Sequence, residues 1–348
     1  MSFIPATILT GFLGSGKTTL LKRVLTESHG QRIAVIENEF GEEDIDTEIL
    51  VADTRENIVQ MSNGCVCCTI RGDLRKTLRE LAEKRRKGAL QFDRVVIETT
   101  GLADPGPVAQ TFFMDERVAE AYMLDSILTL VDAVHATGQL NERQEARRQV
   151  GFADRIFISK TELVEPVAVE ALRHRLTQMN PRAPQRVVHF GNVALSDVFD
   201  LRGFNLTSML DIDPGFLTEA NVHSHAHAAG GERCDRPSDG DDARHHHHPA
   251  DDVKSFVFRS ERAFDPTRLE RFLGKLVDDH GQRMLRYKGV LHMHGTPRKV
   301  IFQGIHQLMS SDEGPKWTVD EIRQSKLVFI GIEMPKNLIL YGLEGCLV

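Results

Sequence analysis

The sequence predicts an α/β protein: a mostly parallel sheet covered by helices on both faces, followed by a small α+β domain. Three observations carry this. Short β-branched runs alternate with helix-like stretches from residue 6 to residue 190. These runs are apolar along nearly their whole length, which marks strands buried on both faces. A polar, histidine-rich stretch then breaks the pattern, and beyond it the order changes to strand, helix, three strands and a closing helix.

In chain order the strand candidates are "ATILT" (6–10), "RIAVIE" (32–37), "RVVIE" (94–98), "SILTLVD" (126–132), "RIFIS" (155–159) and "RVVHF" (186–190). Helical spacing of apolar residues falls near 17–28, 73–87, 106–120, 142–151 and 164–178. Residues 221–252 contain seven histidines, seven carboxylates and one cysteine, with almost no large apolar side chain. Such a composition cannot bury enough surface to fold by itself and reads as a flexible linker. After it come the strand "VKSFVFRS" and the helix "DPTRLERFLGKLVDDH", with aspartate at the cap and proline at its first position. "MLRYKGVLHM", "KVIFQGIHQL" and "KLVFIGIEM" read as strands, and "PKNLILYGLEGCL" as the last helix, so helices cover one face of this second sheet. The expected division is 1–220, 221–252 and 253–348.

Composition excludes several classes. The 348 residues are 41% hydrophobic and 27% charged, enough for a sizeable core. A net charge of -7 argues against a broad nucleic-acid-binding face. No run of 18 apolar residues predicts a membrane span. The N-terminus lacks the basic-then-apolar pattern of a signal peptide. Five cysteines, an odd number, and no signal suggest the cytoplasm, where clustered thiols bind metal or do redox chemistry.

"GFLGSGKT" fits the phosphate-loop pattern G-x-x-x-x-G-K-[ST], with a strand before it and a helix after it. Gly11, Phe12, Leu13, Gly14, Ser15 and Gly16 would turn backbone N–H groups toward phosphate oxygens, and the helix N-terminus adds positive potential. Lys17 is expected to reach the β- and γ-phosphates and Thr18 to ligate magnesium. "RVVIETTG" supplies the partner: Glu98 ends an apolar strand, where such enzymes hold magnesium, and Gly101 is placed to bring an N–H to the γ-phosphate. "FISKTEL" resembles the guanine-reading N-K-x-D pattern, with Ser159 for the asparagine, Lys160 and Thr161 following, and Glu162 for the aspartate.

"NGCVCCTIRGDL" places Cys65, Cys67 and Cys68 within four positions. A chain that turns at Gly64 and Gly72 lets three sulfurs converge near a helix N-terminus, which favours thiolates. Three thiolates leave one tetrahedral position for a further ligand, and their softness points first to zinc, with copper(I) and cobalt open. Buried structural thiols and a Cys65–Cys68 redox pair are the competing readings. The cluster lies between the two phosphate motifs and beside the acidic loop "ENEFGEEDID" (37–46), where Glu37 and Glu42 are candidate ligands.

Together "GFLGSGKTTLL", "VIENEFGE", "NGCVCC", "VIETTGLADPGPV", "LVDAVHA" and "ADRIFISKTEL" resemble the CobW-like P-loop GTPases, most closely the YjiA subgroup. "RMLRYKGVLHMHG", "FQGIHQL" and "LVFIGIEMP" resemble that family's second domain. The resemblance spans nearly the whole chain except the histidine-rich linker. It implies a P-loop NTPase domain and a metallochaperone that binds zinc or cobalt at C-x-C-C and couples its transfer to GTP hydrolysis. It further implies Cys65, Cys67 and Cys68 as metal ligands, Gly11 through Thr19 around the GTP phosphates, Glu98 at magnesium and Ser159 through Glu162 at guanine. A client metalloprotein is the implied partner. The linker histidines read as a low-affinity loading segment or as plain solvating chain. A cobalt chaperone for cobalamin synthesis, a metal store with a structural nucleotide and a thiol redox switch are the rival readings.

Overall fold

The computed structural model describes residues 3–26, 31–37, 58–60, 70–201, 203–204, 252–319 and 321–348. Seven parallel strands form the first sheet: β1 (Ile4–Gly11), β2 (Ile33–Glu37), β3 (Ile58–Gln60), β4 (Arg94–Glu98), β5 (Tyr122–Asp132), β6 (Arg155–Ser159) and β7 (Gln185–Val188). Their order is β3-β2-β4-β1-β5-β6-β7, with β1 in the centre. Because all run the same way, Gly11, Glu37, Glu98, Asp132 and Ser159 share the carboxyl edge, where ligands bind in open α/β sheets.

Alternation explains why both faces are apolar. Ala34, Ile36, Val95 and Ile97 enter one core, while Ile33, Val35 and Val96 enter the other. Helix α1 (Lys17–Thr26) covers the second face with Leu20, Leu21, Val24 and Leu25. The first face is covered by α2 (Ile70–Arg86), α3 (Pro105–Met114), α4 (Glu116–Ala121), α5 (Ala136–Glu142), α6 (Gln144–Phe152) and α7 (Pro166–Met179), which add Leu78, Phe112, Val118, Leu140, Val150 and Leu176.

The second sheet is antiparallel, with strands β8 (Val253–Ser260), β9 (Met284–His292), β10 (Arg298–Ile305), β11 (Leu308–Lys316) and β12 (Ser325–Ile332) in the order β11-β10-β9-β12-β8. Helices α8 (Pro266–His280) and α9 (Lys336–Gly345) pack on one face, where Tyr287 and Leu291 meet Leu269, Leu273, Ile339 and Leu343. Asp265 caps α8 by accepting from the Arg268 N–H at 2.9 Å. The other face joins the core of the first domain through Leu285, Val290, Ile301 and Ile330.

The structure corrects four expectations. Residues 299–308 are not one strand but the end of β10, a turn at His306 and the start of β11. His306 carries a φ of 51, which neither glycine nor asparagine announces; its ring packs on Phe152 with centroids 5.3 Å apart. The helix near 106–120 breaks at Asp115, which is extended and caps α4 by accepting from the Val118 N–H at 3.2 Å. The helix read near 142–151 starts at Gln144, after an extended Arg143 that separates it from α5. The strand read at 186–190 ends at Val188, and residues 189–192 form a turn.

A buried charge cluster joins the domains. Asp154 accepts from Arg286, and from Lys288 Nζ at 3.2 Å, and its own oxygen takes the Ile127 N–H at 2.9 Å. Burial raises the Asp154 carboxyl, but the two cations outweigh it and hold it below its ordinary value. Burial and then Arg286 push Lys288 down to about 7. Between about pH 7 and its unfolded value near ~10.4 the unfolded chain binds the extra proton, so this group makes stability rise with pH. Chemical denaturation from pH 7 to 10 is expected to show that rise, and Lys288→Met to flatten it.

Candidate nucleotide site

The site begins where β1 leaves the sheet. Gly11 has a φ of +145, and a Cβ there would lie 2.3 Å from the Leu130 carbonyl oxygen of β5. That contact lets Phe12 N donate to the same oxygen at 2.9 Å while the chain turns away. Gly14 and Gly16 take φ of +71 and +95, the left-handed conformations that open a loop of inward N–H groups. Leu20 N donates to Gly16 O at 2.9 Å, so α1 starts directly from the loop.

Lys17 is 8% exposed, and its Nζ donates to Gly11 O at 3.1 Å and Phe12 O at 3.2 Å. Its ammonium therefore lies over the loop that it is expected to serve. Burial lowers its pKa, with Glu98 pulling the other way. Thr18 Oγ1 donates to Glu98 Oε1 at 3.0 Å, so hydroxyl and carboxylate meet at the loop. Hard oxygen donors of this kind suit magnesium. Below them Thr99 N donates to Leu9 O at 2.9 Å and Thr99 Oγ1 to Thr10 Oγ1 at 2.8 Å, tying β4 to β1.

Gly101 packs against the loop: a Cβ there would sit 2.5 Å from Leu13 Cα. From the other side Gln149 of α6, fully buried, donates through Nε2 to Gly101 O at 3.2 Å and Ala103 O at 2.9 Å. Gln139 Nε2 donates to Leu13 O at 3.3 Å. Two helices thus hold the two loops that would embrace a γ-phosphate.

The segment expected to read the base, Ser159 through Glu162, sits across the loop. Ser159 Oγ donates to Ser15 O at 2.7 Å, which is the direct tie between β6 and the phosphate loop. Lys160 is left-handed, with φ 59, and its Nζ donates to Asp132 Oδ2 at 2.7 Å. Asp132 also accepts from Val134 N at 2.9 Å and faces His135 Nδ1 at 3.0 Å. Burial raises the Asp132 carboxyl, but Lys160, His135 and Val134 outweigh it, and it stays below its ordinary value. Thr161 opens a short 3-10 turn, Thr161–Leu163, and the exposed Glu162 accepts through Oε2 from His189 Nδ1 at 2.9 Å. Its own backbone N–H is the first cause that lowers the Glu162 carboxyl.

The structure therefore gathers Gly11 through Thr18, Glu98, Gly101 and Ser159 in one place. Thr19 lies in the first turn of α1, and Lys160 through Glu162 follow Ser159. Glu37 is placed by its backbone alone, in register with Glu98. Cys65, Cys67, Cys68 and Glu42, and residues 221–251 of the linker, lie outside the described residues. Among the described residues no group of three His, Cys, Asp or Glu is gathered to hold a metal ion. Sequence reading missed Asp132 and Gln149. Asp132 carried a readable signal, a carboxylate ending an apolar strand as Glu98 does. Gln149 carried none, since only the packing of α6 against the loop after β4 gives it a role.

A parallel sheet with a glycine loop and an acidic strand end at its carboxyl edge defines a P-loop nucleotide-binding protein. Residues 5–186 match the family described as CobW/HypB/UreG, nucleotide-binding domain, and residues 253–347 match the cobalamin synthesis protein cobW C-terminal domain. The chain belongs to the CobW/HypB/UreG family. It is 40% identical over 346 residues to the zinc chaperone YjiA of Escherichia coli, covering 99% of each chain. It is 29% identical over 357 residues to the zinc chaperone CobW of a Sinorhizobium species, covering 94% of this chain and 93% of that one. The crystal structure of Zn(II)-bound YjiA GTPase from E. coli aligns with a TM-score of 0.75 and 37% identity, over 99% of both chains.

Gly101→Ala pushes a methyl into Leu13 and displaces both loops. A misplacement of about 1 Å is expected to lower GTP turnover roughly 100-fold. Phosphate release measures this, with circular dichroism confirming an unchanged fold.

Proposed function

We propose that this chain is a GTP-hydrolysing zinc chaperone that holds zinc at Cys65, Cys67 and Cys68 and passes it to a client metalloprotein. The observation that carries the reading is where the cysteine segment leaves the sheet. β2 and β3 run parallel with Glu37 opposite Gln60, and Glu37 is also opposite Glu98. The chain leading to the cysteines departs from Gln60 at the same edge as the phosphate loop and rejoins the fold at Ile70, two residues after Cys68. The names of the similar zinc chaperones, and the zinc in the similar structure, support the choice of metal.

In this reading the loop N–H groups and Lys17 bind the triphosphate, and the loop glycines keep the reacting phosphate in place. Thr18 and Glu98 would hold magnesium, which neutralises phosphate charge when bound. Gly101, fixed by Gln149, would bring its N–H to the γ-phosphate, and Ser159 through Glu162 would read guanine. Glu37 and Glu42 are the carboxylates nearest in sequence to complete the zinc site. Nucleotide state would reach the cysteines because both depend on the same sheet edge, and zinc release would follow loss of the γ-phosphate. The sequence names no arginine or glutamine finger, so intrinsic turnover should be slow. Thiolate ligands need a reducing compartment, so this reading expects the chain in the cytoplasm.

Lys17→Ala is expected to abolish GTP turnover in a phosphate-release assay while leaving the fold intact. Zinc affinity, measured against a chromophoric chelator under reducing conditions, is expected to differ between a GTP analogue and GDP, each with magnesium. It should vanish in Cys65→Ala/Cys67→Ala/Cys68→Ala. Equal affinity in both nucleotide states would sink the coupling and leave a metal store, because a ligand shifts only states that it distinguishes.

A further inference from the structure

Past β7 the chain makes a tight turn that the fold does not account for. His189 and Asn192 form an antiparallel bridge, with Asn192 N donating to His189 O at 2.9 Å. Between them Phe190 and Gly191 are both left-handed, with φ of 49 and 74. Consecutive left-handed residues make a type I′ turn, where asparagine and glycine are favoured. A bulky aromatic there is strained. Burial does not repay the strain, because Phe190 is 83% exposed.

Both neighbours of Phe190 are anchored to the nucleotide site. On one side His189 Nδ1 meets Glu162 Oε2 at 2.9 Å. On the other, a Cβ on Gly191 would lie 2.9 Å from Thr19 O and 3.1 Å from Leu20 Cα, so the turn rests on the first turn of α1. The strained aromatic is thus suspended between the guanine-reading carboxylate and the helix that follows the phosphate loop. Strain of this kind persists where the surroundings over-determine it, and it clusters at ligand clamps.

We propose that the 189–191 turn completes the base site: Phe190 supplies a face on which the purine stacks, and His189 positions the Glu162 carboxylate for the base edge. This rests on the guanine reading of residues 159–162. Guanine offers two donors, N1–H and N2–H, to one carboxylate; hypoxanthine offers only the first. Glutamate has one more rotatable bond than the aspartate usual at this position, so an unanchored Glu162 would lose more freedom on binding. The imidazole N–H holds one oxygen and removes that freedom, leaving lone pairs on both oxygens for the base. Stacking does not depend on the base edge, so the two residues have separable signatures.

The test is calorimetric titration of the full chain with GDP, inosine diphosphate and ADP, with magnesium, together with melting curves without nucleotide. His189→Leu is expected to shrink the preference for GDP over inosine diphosphate about 10-fold, and His189→Asn, which keeps a donor, to restore it. Phe190→Gly is expected to weaken GDP and inosine diphosphate alike, about 10-fold, with their ratio unchanged. The same change relieves the left-handed strain and should raise the melting temperature, so binding and stability move in opposite directions. If Phe190→Gly lowers both, or if either variant binds as wild type does, the proposal is overturned. Wild type that prefers GDP to ADP, with unaltered variants, overturns this inference alone. Wild type that binds ADP as tightly as GDP overturns the guanine reading, and this inference with it.

Discussion

The site depends on one close approach. Gly11 lies against the Leu130 backbone, nearer than any side chain allows, so β1 stays in the sheet up to its last residue and then turns out at once. The loop that follows inherits its position from that contact. Lys17 folds back onto the carbonyls of Gly11 and Phe12, and Thr18 meets Glu98 because β4 is bound to β1 in register. A larger residue at 11 would push β1 off β5 and move the loop, Lys17 and α1 together. The parallel sheet does the rest, since it presents Glu37, Glu98, Asp132 and Ser159 on the same edge.

Helix α6 connects this edge to the second domain. Its nine residues place Gln149 against the loop after β4 and Gly151 against the antiparallel sheet, where a Cβ would meet Leu285 Cδ1 at 2.7 Å. At its end Phe152 O accepts from Arg286 Nη1 at 2.7 Å. The hairpin turn at His306 reaches the start of α3, so close that a Cβ on Gly106 would lie 2.8 Å from its Nε2. Both the loop that carries Gly101 and the helix after it therefore rest on elements that also touch the C-terminal sheet. The second domain is part of the scaffold of the nucleotide site, and its core is continuous with that of the first.

Much of this was legible without coordinates, and the legible parts share a cause. The glycine loop, the strand ends at Glu98 and Ser159 and the capped helix after Asp265 are local: their chemistry lies within a few residues of sequence. The breaks were illegible where a distant partner sets them. His306 adopts its left-handed turn because its ring finds Phe152 and its Nδ1 faces Gln282 O at 3.1 Å. Arg143 interrupts a run with good helical spacing, and Nη1 of nearby Arg147 donates to Leu140 O at 2.8 Å across the break. Periodicity detects an apolar face, not a change of direction along it.

What the sequence by itself determined is a set of local runs: a P-loop, an acidic strand end, the S-K-T-E segment and three clustered thiols, each short and built of residue types with few other uses. What only the tertiary structure decided is which distant groups serve those runs. Gln149 behind Gly101, Ser159 on Ser15, Asp132 under Lys160 and His189 on Glu162 are 48, 144, 28 and 27 positions apart. Three of these pairs exist because parallel strands bring their carboxyl ends to one edge, and the Gln149 pair because α6 packs on the loop after β4; separation along the chain carries no record of either convergence.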